Sequence, residues 1–557
     1  MSIKDNRYCK RVYILISLLA PILYICVNLG RTNGLFFPPD EIGYWENAAR
    51  MCGLDWSGST FMQSYYAEGY SILLLPLLKM IQSPLLMYKC ALLLNAILFG
   101  LNGLVIYAFL KELYGDDPES EICLIALAAI FYPAHFIYMN YTIAETLLHL
   151  LVTTLFWMLL RYEHRRRTSD ALIAVVVSLT MVFTHFRTIG VAFSAVIMIF
   201  AVWRKKKGKS INVRTLVYAC GVLILIAIVF AICPIRSGIA YLDDKLDRFR
   251  MVITPAGILS IIMGIVGKVF YISVSTIGMI FVCVRRIWSK RNESYTGITF
   301  LVSFMISIVI FAVFFVNGNG IDYLVYGRYT EIFAPIIMCV GLHEICEADG
   351  LDARFGKTSS AGIAISAVLL VIYATFCGIN LYRRDFITGL SWVFGYKMPM
   401  VNELICIPAL LCILAIWIMI WIIRSRSGMR TTVKKWICVA ITVFFVFVGI
   451  YMSEICVYHY HELDREDVEI FKSVTDMYDN GREVVFLRPP GVNYIGHLQF
   501  YMFDRVINYI DGTGPEALTT GPEDVVVTYD NYENRDILSE KYEKMIESPH
   551  FVVYFNE

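Results

Sequence analysis

Long apolar segments recur along most of the chain and constrain its fold more than any motif does. A run of about 20 apolar residues can cross a lipid bilayer as an α-helix. Hydrophobic residues make up 58% of the 557 residues and charged residues only 17%, which exceeds what a soluble core needs. The sequence therefore predicts an α-helical polytopic membrane protein.

About thirteen segments meet or approach the length of a membrane span. They are 12–29, 85–110, 122–138, 143–160, 171–185, 189–203, 216–234, 261–284, 298–316, 332–346, 361–379, 404–423 and 436–452. The segment 69–81 is also apolar but shorter, so we expect it to lie in the membrane interface or to re-enter the bilayer.

The basic loops predict the orientation of these spans. Strongly basic clusters occur at 161–167, 204–209, 285–291 and 424–435. If the N-terminus is inside and 69–81 does not cross, all four clusters lie on the cytoplasmic side, as the positive-inside rule requires. If 69–81 crossed, all four would lie outside. We therefore expect the loop 30–68 and the tail beyond Ser453 to be extracytoplasmic.

The tail differs in composition from the rest of the chain. Residues 454–557 are charged, lack cysteine after Cys456 and alternate between helical and strand patterns. We expect helices at 464–478 and 535–547 and strands at 483–487, 524–529 and 551–555, with 498–510 ambiguous. The sequence thus predicts a membrane domain, 1–453, followed by an extracytoplasmic soluble α/β domain, 454–557.

An acidic pair, Asp40-Glu41, follows the first apolar segment in FFPPDEIGYWENAARM. Pro38 and Pro39 favour an extended approach, and 40–51 then reads as a short helix whose N-terminus favours negative charge. The pair is either an N-cap with a solvated first turn or a catalytic group at the membrane surface.

Further polar residues lie at predicted outer ends of helices. Glu145 in NYTIAETLLHLL either closes a capping box with Thr142 or belongs to a site. Arg328 in GRYTEIFAP either anchors its helix at the interface or binds a lipid phosphate with its planar guanidinium. His185 and Arg187 end another helix in FTHFRTI. Lys268 lies within a span, near enough to the outer end for its amine to reach water.

No resident cofactor is predicted. The inner loops lack nucleotide-binding glycine patterns, and the 15 cysteines show neither metal-type spacing nor a disulfide framework. The net charge of +1 gives no reason to expect nucleic acid. Two neighbouring acids could hold a divalent cation, but no third ligand is apparent from spacing.

Four segments resemble the multi-spanning glycosyltransferases of the GT-C fold, which include protein O-mannosyltransferases and the lipid A aminoarabinose transferase. They are PPDEIGYWENA, YYAEGYSILLLPLL, FYPAHFIYMNYTIAETL and GRYTEIFAPII. The resemblance covers the chain from residue 12 to about 342. The lipid-phosphate lysines of some relatives have no matching position here.

The resemblance implies a membrane hexosyl- or pentosyltransferase of the cell envelope. Such an enzyme transfers a sugar from a polyprenyl-phosphate donor to an envelope glycan, lipid or protein by a single inverting displacement. Asp40 would accept the proton of the attacking hydroxyl, while Glu41 and Glu145 would orient the substrates. Arg328, with Tyr329, Arg187 or His185, would bind the departing phosphate, and Tyr44 and Tyr66 would also contact substrate.

Two other classes remain open from the sequence. A transporter or flippase of lipid-linked sugars would share the helix count and the outer arginine, but transport usually needs polar groups near the midplane and an internal repeat, and neither is clear here. A ligase or polymerase of cell-surface glycans is also multi-spanning. The sequence identifies neither the sugar nor the acceptor.

Overall fold

The protein divides into two compact units, each assembled from separate stretches of chain. The computed structural model describes residues 3–35, 40–56, 58, 66–206, 250–314, 316, 324–345, 353–379, 389–390, 401–426, 429–488, 496–511 and 519–556. The first unit comprises Met1–Leu23, Ala96–Met139 and Glu145–Ser453. The second comprises Tyr24–Asn95, Asn140–Ala144 and Glu454–Glu557. The division of the chain at residue 453 into independent domains stays a prediction.

The apolar segments within the described residues form helices, as their composition predicts. Up to residue 206 these are α1 Ile3–Asn28, α2 Asp40–Met51, α3 Gly69–Met80, α4 Pro84–Leu113, α5 Glu119–Ile130, α6 Pro133–Tyr138, α7 Glu145–Arg165, α8 Thr168–Thr184 and α9 Ile189–Lys206. From residue 255 they are α10 Pro255–Ser275, α11 Met279–Ser289, α12 Tyr295–Phe314, α13 Ala334–Glu344, α14 Ala353–Phe376, α15 Cys406–Ser425 and α16 Arg430–Ser453.

Among the described residues, eight helices are long and apolar enough to cross a membrane. The predicted span 216–234 lies outside the described residues, so the count of about thirteen stays a prediction. Helix α3 has 12 residues and a length of about 18 Å. Because the hydrocarbon core is about 30 Å thick, α3 is too short to cross it unaided, in agreement with the sequence.

Two predicted spans are interrupted. The span 122–138 divides into α5 and α6, because Pro133 lacks an N–H and excludes the helical conformation at Tyr132, where ψ is 130°. The span 261–284 divides into α10 and α11 at Ile277 and Gly278, both with positive φ. Hydropathy reports burial in lipid but not backbone continuity, so neither break is visible in the apolar pattern.

The tail forms an α/β layer within the second unit, as predicted. Parallel strands β1 Val484–Arg488, β2 Asn508–Asp511 and β3 Val525–Tyr529 are joined by antiparallel strands β4 Lys544–Glu547 and β5 Phe551–Phe555. The order is β2-β1-β3-β5-β4. Buried Val485, Leu487, Val526 and Val552 form part of its core, and burying each such side chain stabilises the fold by about 1.5–3 kcal/mol.

The helices of the tail are α17 His459–Leu463, α18 Arg465–Asp479, α19 Gly496–Tyr501 and α20 Arg535–Lys541. The predicted helix 535–547 is therefore too long, because residues 544–547 pair with β5 as an edge strand. Three of these four residues are exposed, so no period-2 burial pattern marked them as a strand. The ambiguous segment 498–510 contributes the end of α19 and the start of β2.

Candidate active site

The second unit fixes Glu41 in a buried set of hydrogen bonds. Glu41 is fully buried, and its Oε1 accepts from the Thr142 backbone N–H at 2.6 Å and the Thr142 hydroxyl at 2.7 Å. The Tyr88 hydroxyl donates to the same oxygen at 3.0 Å, and Trp45 Nε1 donates to Thr142 Oγ1 at 3.0 Å. Glu41 therefore ties α2 to the segment 140–144.

Asp40 lies at the first position of α2 and is only half-buried, in contrast to Glu41. The predicted helix 40–51 is confirmed; its approach through Pro38 and Pro39 lies outside the described residues. The Tyr66 hydroxyl donates to Asp40 Oδ1, and the Tyr66 ring packs against Tyr44 at 5.1 Å between centroids. Asp40 is thus an oriented carboxylate that keeps some exposure.

Gly43 makes the contact between Tyr66 and α2 possible. A Cβ at Gly43 would lie 2.1 Å from the Tyr66 ring, far inside van der Waals distance. Asn47 Nδ2 donates to the Tyr66 carbonyl at 2.9 Å and holds its backbone in place. The ring therefore has little freedom to move aside.

We expect Gly43→Ala to destabilise the protein by about 1–3 kcal/mol, the usual cost of overpacking a close contact. Gly30→Ala is the matched control in the same unit, because a Cβ there meets nothing within 4 Å. Thermal unfolding of both purified variants measures the difference. Equal melting temperatures would show that Tyr66 does not pack closely on α2.

The first unit contains a buried cluster of one acid and two arginines. Glu145 is the first residue of α7 and is fully buried. Its Oε1 accepts from Arg187 Nη2 at 3.0 Å and from Arg328 Nε. The proposed capping box is wrong, because α7 begins at Glu145 itself and the Thr142 hydroxyl bonds to Glu41 instead.

Arg187 brings unused hydrogen-bond donors to this cluster. Its side chain is 2% exposed, and its guanidinium lies 5.0 Å from the centre of the Tyr329 ring. Within the described part of the chain, Nε and Nη1 have no hydrogen-bond partner. His185 Nδ1 accepts from the Arg187 backbone N–H at 3.3 Å and shapes the turn. Buried N–H groups without partners are costly, so the cluster is suited to receiving an anion.

Arg328 is buried as well, at 6% exposure. Its Nη1 donates to the Tyr326 hydroxyl at 3.4 Å, and Tyr329 stacks on Phe311 at 4.1 Å. A helix anchor would extend toward water, whereas this guanidinium is in a buried ion pair, so the anchor interpretation is wrong. Lys268 is also fully buried.

Sequence reasoning missed another fully buried carboxylate, Glu331. It accepts hydrogen bonds from the hydroxyls of Tyr138 and Tyr271. Tyr271 accepts in turn from the Gly389 N–H at 2.8 Å. Glu331 follows Arg328 by three residues, and an acid opening an apolar segment was a usable signal. Its tyrosine partners lie 60 and 193 positions away in the sequence, so no local pattern indicated these pairings.

An apolar cavity of about 380 Å³ lies among α10, α15 and α16 of the first unit. Aliphatic and aromatic side chains form most of its lining, including Leu411, Ala415, Ile441 and Phe445. Ser275 and Gly389 contribute its few polar groups, and Gly389 connects it to the Tyr271–Glu331 pair. The cavity has the chemistry of a lipid-chain site.

The predicted site residues therefore form two groups. The second unit holds Asp40, Glu41, Tyr44 and Tyr66, and the first holds Glu145, His185, Arg187, Arg328 and Tyr329.

Two clusters of possible metal ligands occur in the described part of the chain, and neither includes Asp40 or Glu41. They are Asp117, Glu121 and His343, and Asp464, Asp467 and His550. In the second cluster Asp467 is hydrogen-bonded to His550 at 2.7 Å, and burial raises the pKa of Asp464 to about 6. That the protein needs no resident cofactor stays a prediction.

The helical architecture of the chain has a counterpart among solved structures. The chain aligns with the crystal structure of ArnT from Cupriavidus metallidurans bound to undecaprenyl phosphate, with a TM-score of 0.54, 12% sequence identity and 97% coverage of both chains. No family model and no curated protein matches the sequence. At this identity the likeness shows the fold, which confirms the fold predicted from the sequence resemblance.

Proposed function

We propose that the protein transfers a sugar from a polyprenyl-phosphate carrier to an acceptor on the outer face of the cytoplasmic membrane. The observation that carries this proposal is the Glu145–Arg187–Arg328 cluster, in which Arg187 Nε and Nη1 have no hydrogen-bond partner among the described residues. The cluster occurs in a fold shared with a protein crystallised with undecaprenyl phosphate. The basic loops support the outer location of the acidic loop 30–68.

The cluster's charge suits the carrier phosphate. The three residues of the cluster, two arginines and one glutamate, together carry a formal charge of +1. A phosphate would balance this charge and accept from Arg187 Nε and Nη1. As the sugar departs, negative charge grows on the phosphate, and preorganised donors then stabilise the transition state more than the ground state. In this proposal Glu145 positions both guanidiniums and does not bind sugar.

Asp40 is the proposed general base. Its half-exposed carboxylate can accept the proton of an acceptor hydroxyl, whereas Glu41 is buried and engaged by Thr142 and Tyr88. The acceptor oxygen forms a bond to the anomeric carbon as the bond to the phosphate oxygen breaks. The phosphate leaves with that electron pair, Asp40 takes the proton, and the configuration inverts.

The experiment uses the full chain in nanodiscs with a panel of undecaprenyl-phosphate hexoses and pentoses. Release of undecaprenyl phosphate that depends on an added cell-envelope extract supports a transferase. No release with any donor, together with movement of the donor between leaflets, would establish a flippase. Growth of a glycan polymer on one carrier molecule would establish a polymerase.

A deletion strain identifies the substrates. Mass spectrometry of its envelope glycans should show one missing sugar, which names the donor, and the site of loss names the acceptor. An unchanged glycan profile would contradict a role in the envelope.

The apolar cavity among α10, α15 and α16 is the proposed site of the isoprenoid chain. We expect Ala415→Phe, which fills the cavity, to raise KM for a long-chain donor about tenfold, because excluding two methylene groups costs about 1.6 kcal/mol. A donor too short to reach the cavity should be unaffected. Leu414→Phe is the matched control, since Leu414 is 55% exposed and does not line the cavity. Equal KM values for the two variants would contradict this placement.

A further inference from the structure

A second cavity, of about 300 Å³, lies toward the opposite end of α7 from Glu145. It extends along α7 from Phe156 to His164 and is closed by residues of α4, α11, α12 and α13. Helix α7 has 21 residues, so its ends are about 30 Å apart, the thickness of the hydrocarbon core. This cavity therefore lies near the other membrane surface and is separate from the proposed donor site.

The inner part of this cavity is apolar. The side chains of Phe109, Phe156, Phe300, Ile336 and Val340 line it, and each is buried in the helix bundle. A free anion or a nucleotide would gain nothing from such a surface. A hydrocarbon chain would gain from it, because its methylene groups would be removed from water.

The mouth of this cavity carries positive charge. It is lined by His164, Arg286 and Lys290, with one acid, Glu293. The Lys290–Glu293 pair is 4.0 Å apart and both side chains are exposed, so it holds Lys290 only weakly. Arg286 pairs with Glu344 through Nε at 3.2 Å, and its side chain is 32% exposed.

The charges around this mouth indicate which leaflet it faces. The segments 161–167 and 285–291 supply His164, Arg286 and Lys290, and both are among the basic loops that predict the cytoplasmic side. Anionic lipids give that leaflet a negative surface potential. Basic pockets between transmembrane helices bind the head groups of such lipids.

We propose that this cavity binds an anionic glycerophospholipid of the cytoplasmic leaflet. One acyl chain occupies the apolar interior, and the phosphodiester lies between Arg286 and Lys290. The lipid bridges α7, α11, α12 and α13, so its binding stabilises the bundle at the end away from the sugar-transfer chemistry.

The test measures lipid binding and thermal stability of the delipidated full chain in detergent. We expect phosphatidylglycerol to bind, in native mass spectrometry, and to raise the melting temperature. Phosphatidylcholine with the same acyl chains and inorganic phosphate should do neither. Equal stabilisation by phosphatidylcholine, or by phosphate alone, would overturn the proposal. The proposal would also be overturned if undecaprenyl phosphate displaced phosphatidylglycerol when present at a lower concentration than phosphatidylglycerol.

Variants locate the lipid. Lys290→Gln should weaken phosphatidylglycerol binding about fivefold, the contribution of one basic residue at an anionic membrane surface. Lys357→Gln is the matched control, because Lys357 is an exposed base on α14 that does not line the cavity. Val340→Phe should reduce binding by filling the interior while leaving Lys290 in place. Unchanged binding in Lys290→Gln would place the lipid elsewhere, whether or not Val340→Phe folds.

Discussion

Replacing Asp40 by asparagine is expected to lower sugar transfer by about a hundredfold to ten-thousandfold, the range for loss of a general base. Asparagine keeps the size of the side chain and can still accept from the Tyr66 hydroxyl, so expression and melting temperature should not change. Release of undecaprenyl phosphate from saturating donor measures the effect.

Asp55→Asn is the matched control for this experiment, because Asp55 is an exposed acid in the same loop. Its activity should stay within a few-fold of the unmodified protein. Tyr66→Phe should lower transfer by a smaller factor, since the carboxylate remains but loses its orienting donor. If Asp40→Asn keeps activity within a few-fold of the unmodified protein, Asp40 is not the general base. It is then only the first residue of α2.

Replacing Arg328 by lysine is expected to reduce turnover at limiting donor by about ten- to a hundredfold. The positive charge beside Glu145 remains, so the protein should fold and keep its melting temperature. A lysine amine cannot reproduce the planar fork that donates to Glu145 through Nε and to the Tyr326 hydroxyl through Nη1. Phosphate binding should therefore suffer while stability does not.

Two further variants make the Arg328 result specific. Arg167→Lys changes an exposed arginine at the other end of α7 and should have no effect on turnover. Glu145→Gln removes the carboxylate to which both guanidiniums donate, and removing one partner of a buried pair costs about 3–5 kcal/mol. It should lower the melting temperature strongly. Full activity of Arg328→Lys at limiting donor would exclude Arg328 as the phosphate ligand and leave Arg187 as the candidate.

The candidate site could be predicted from sequence in its residue types but not in its pairings. Asp40 opens α2 as the proline-acid-apolar pattern predicts, and Arg328 and Glu145 were both identified as candidates. The structure gives Glu145 partners that differ from those the sequence predicted. Glu145 was a possible helix cap beside Thr142, three residues away, yet it pairs with Arg187 and Arg328, which lie 42 and 183 positions away.

The fold was predicted where local composition decides it. A membrane span is selected by the summed transfer free energy of neighbouring residues, so the apolar segments and their helical state followed from the sequence. The strand at Phe551–Phe555 was also predicted, because a buried strand is a short apolar run. The break before Pro133 had a visible signal in the proline itself, which hydropathy alone ignores.

The sequence by itself thus determined the class of the protein: an α-helical membrane protein with a charged α/β tail and acids and arginines at helix ends. Each of these properties depends on the composition of residues that are adjacent in the sequence. Only the tertiary structure decided that Glu41 is sequestered while Asp40 keeps some exposure, that two Arg187 donors lack partners among the described residues, and that Glu331 accepts hydrogen bonds from Tyr138 and Tyr271. These depend on which distant residues meet, because a buried charge takes whichever partner the packing of helices brings within hydrogen-bond distance.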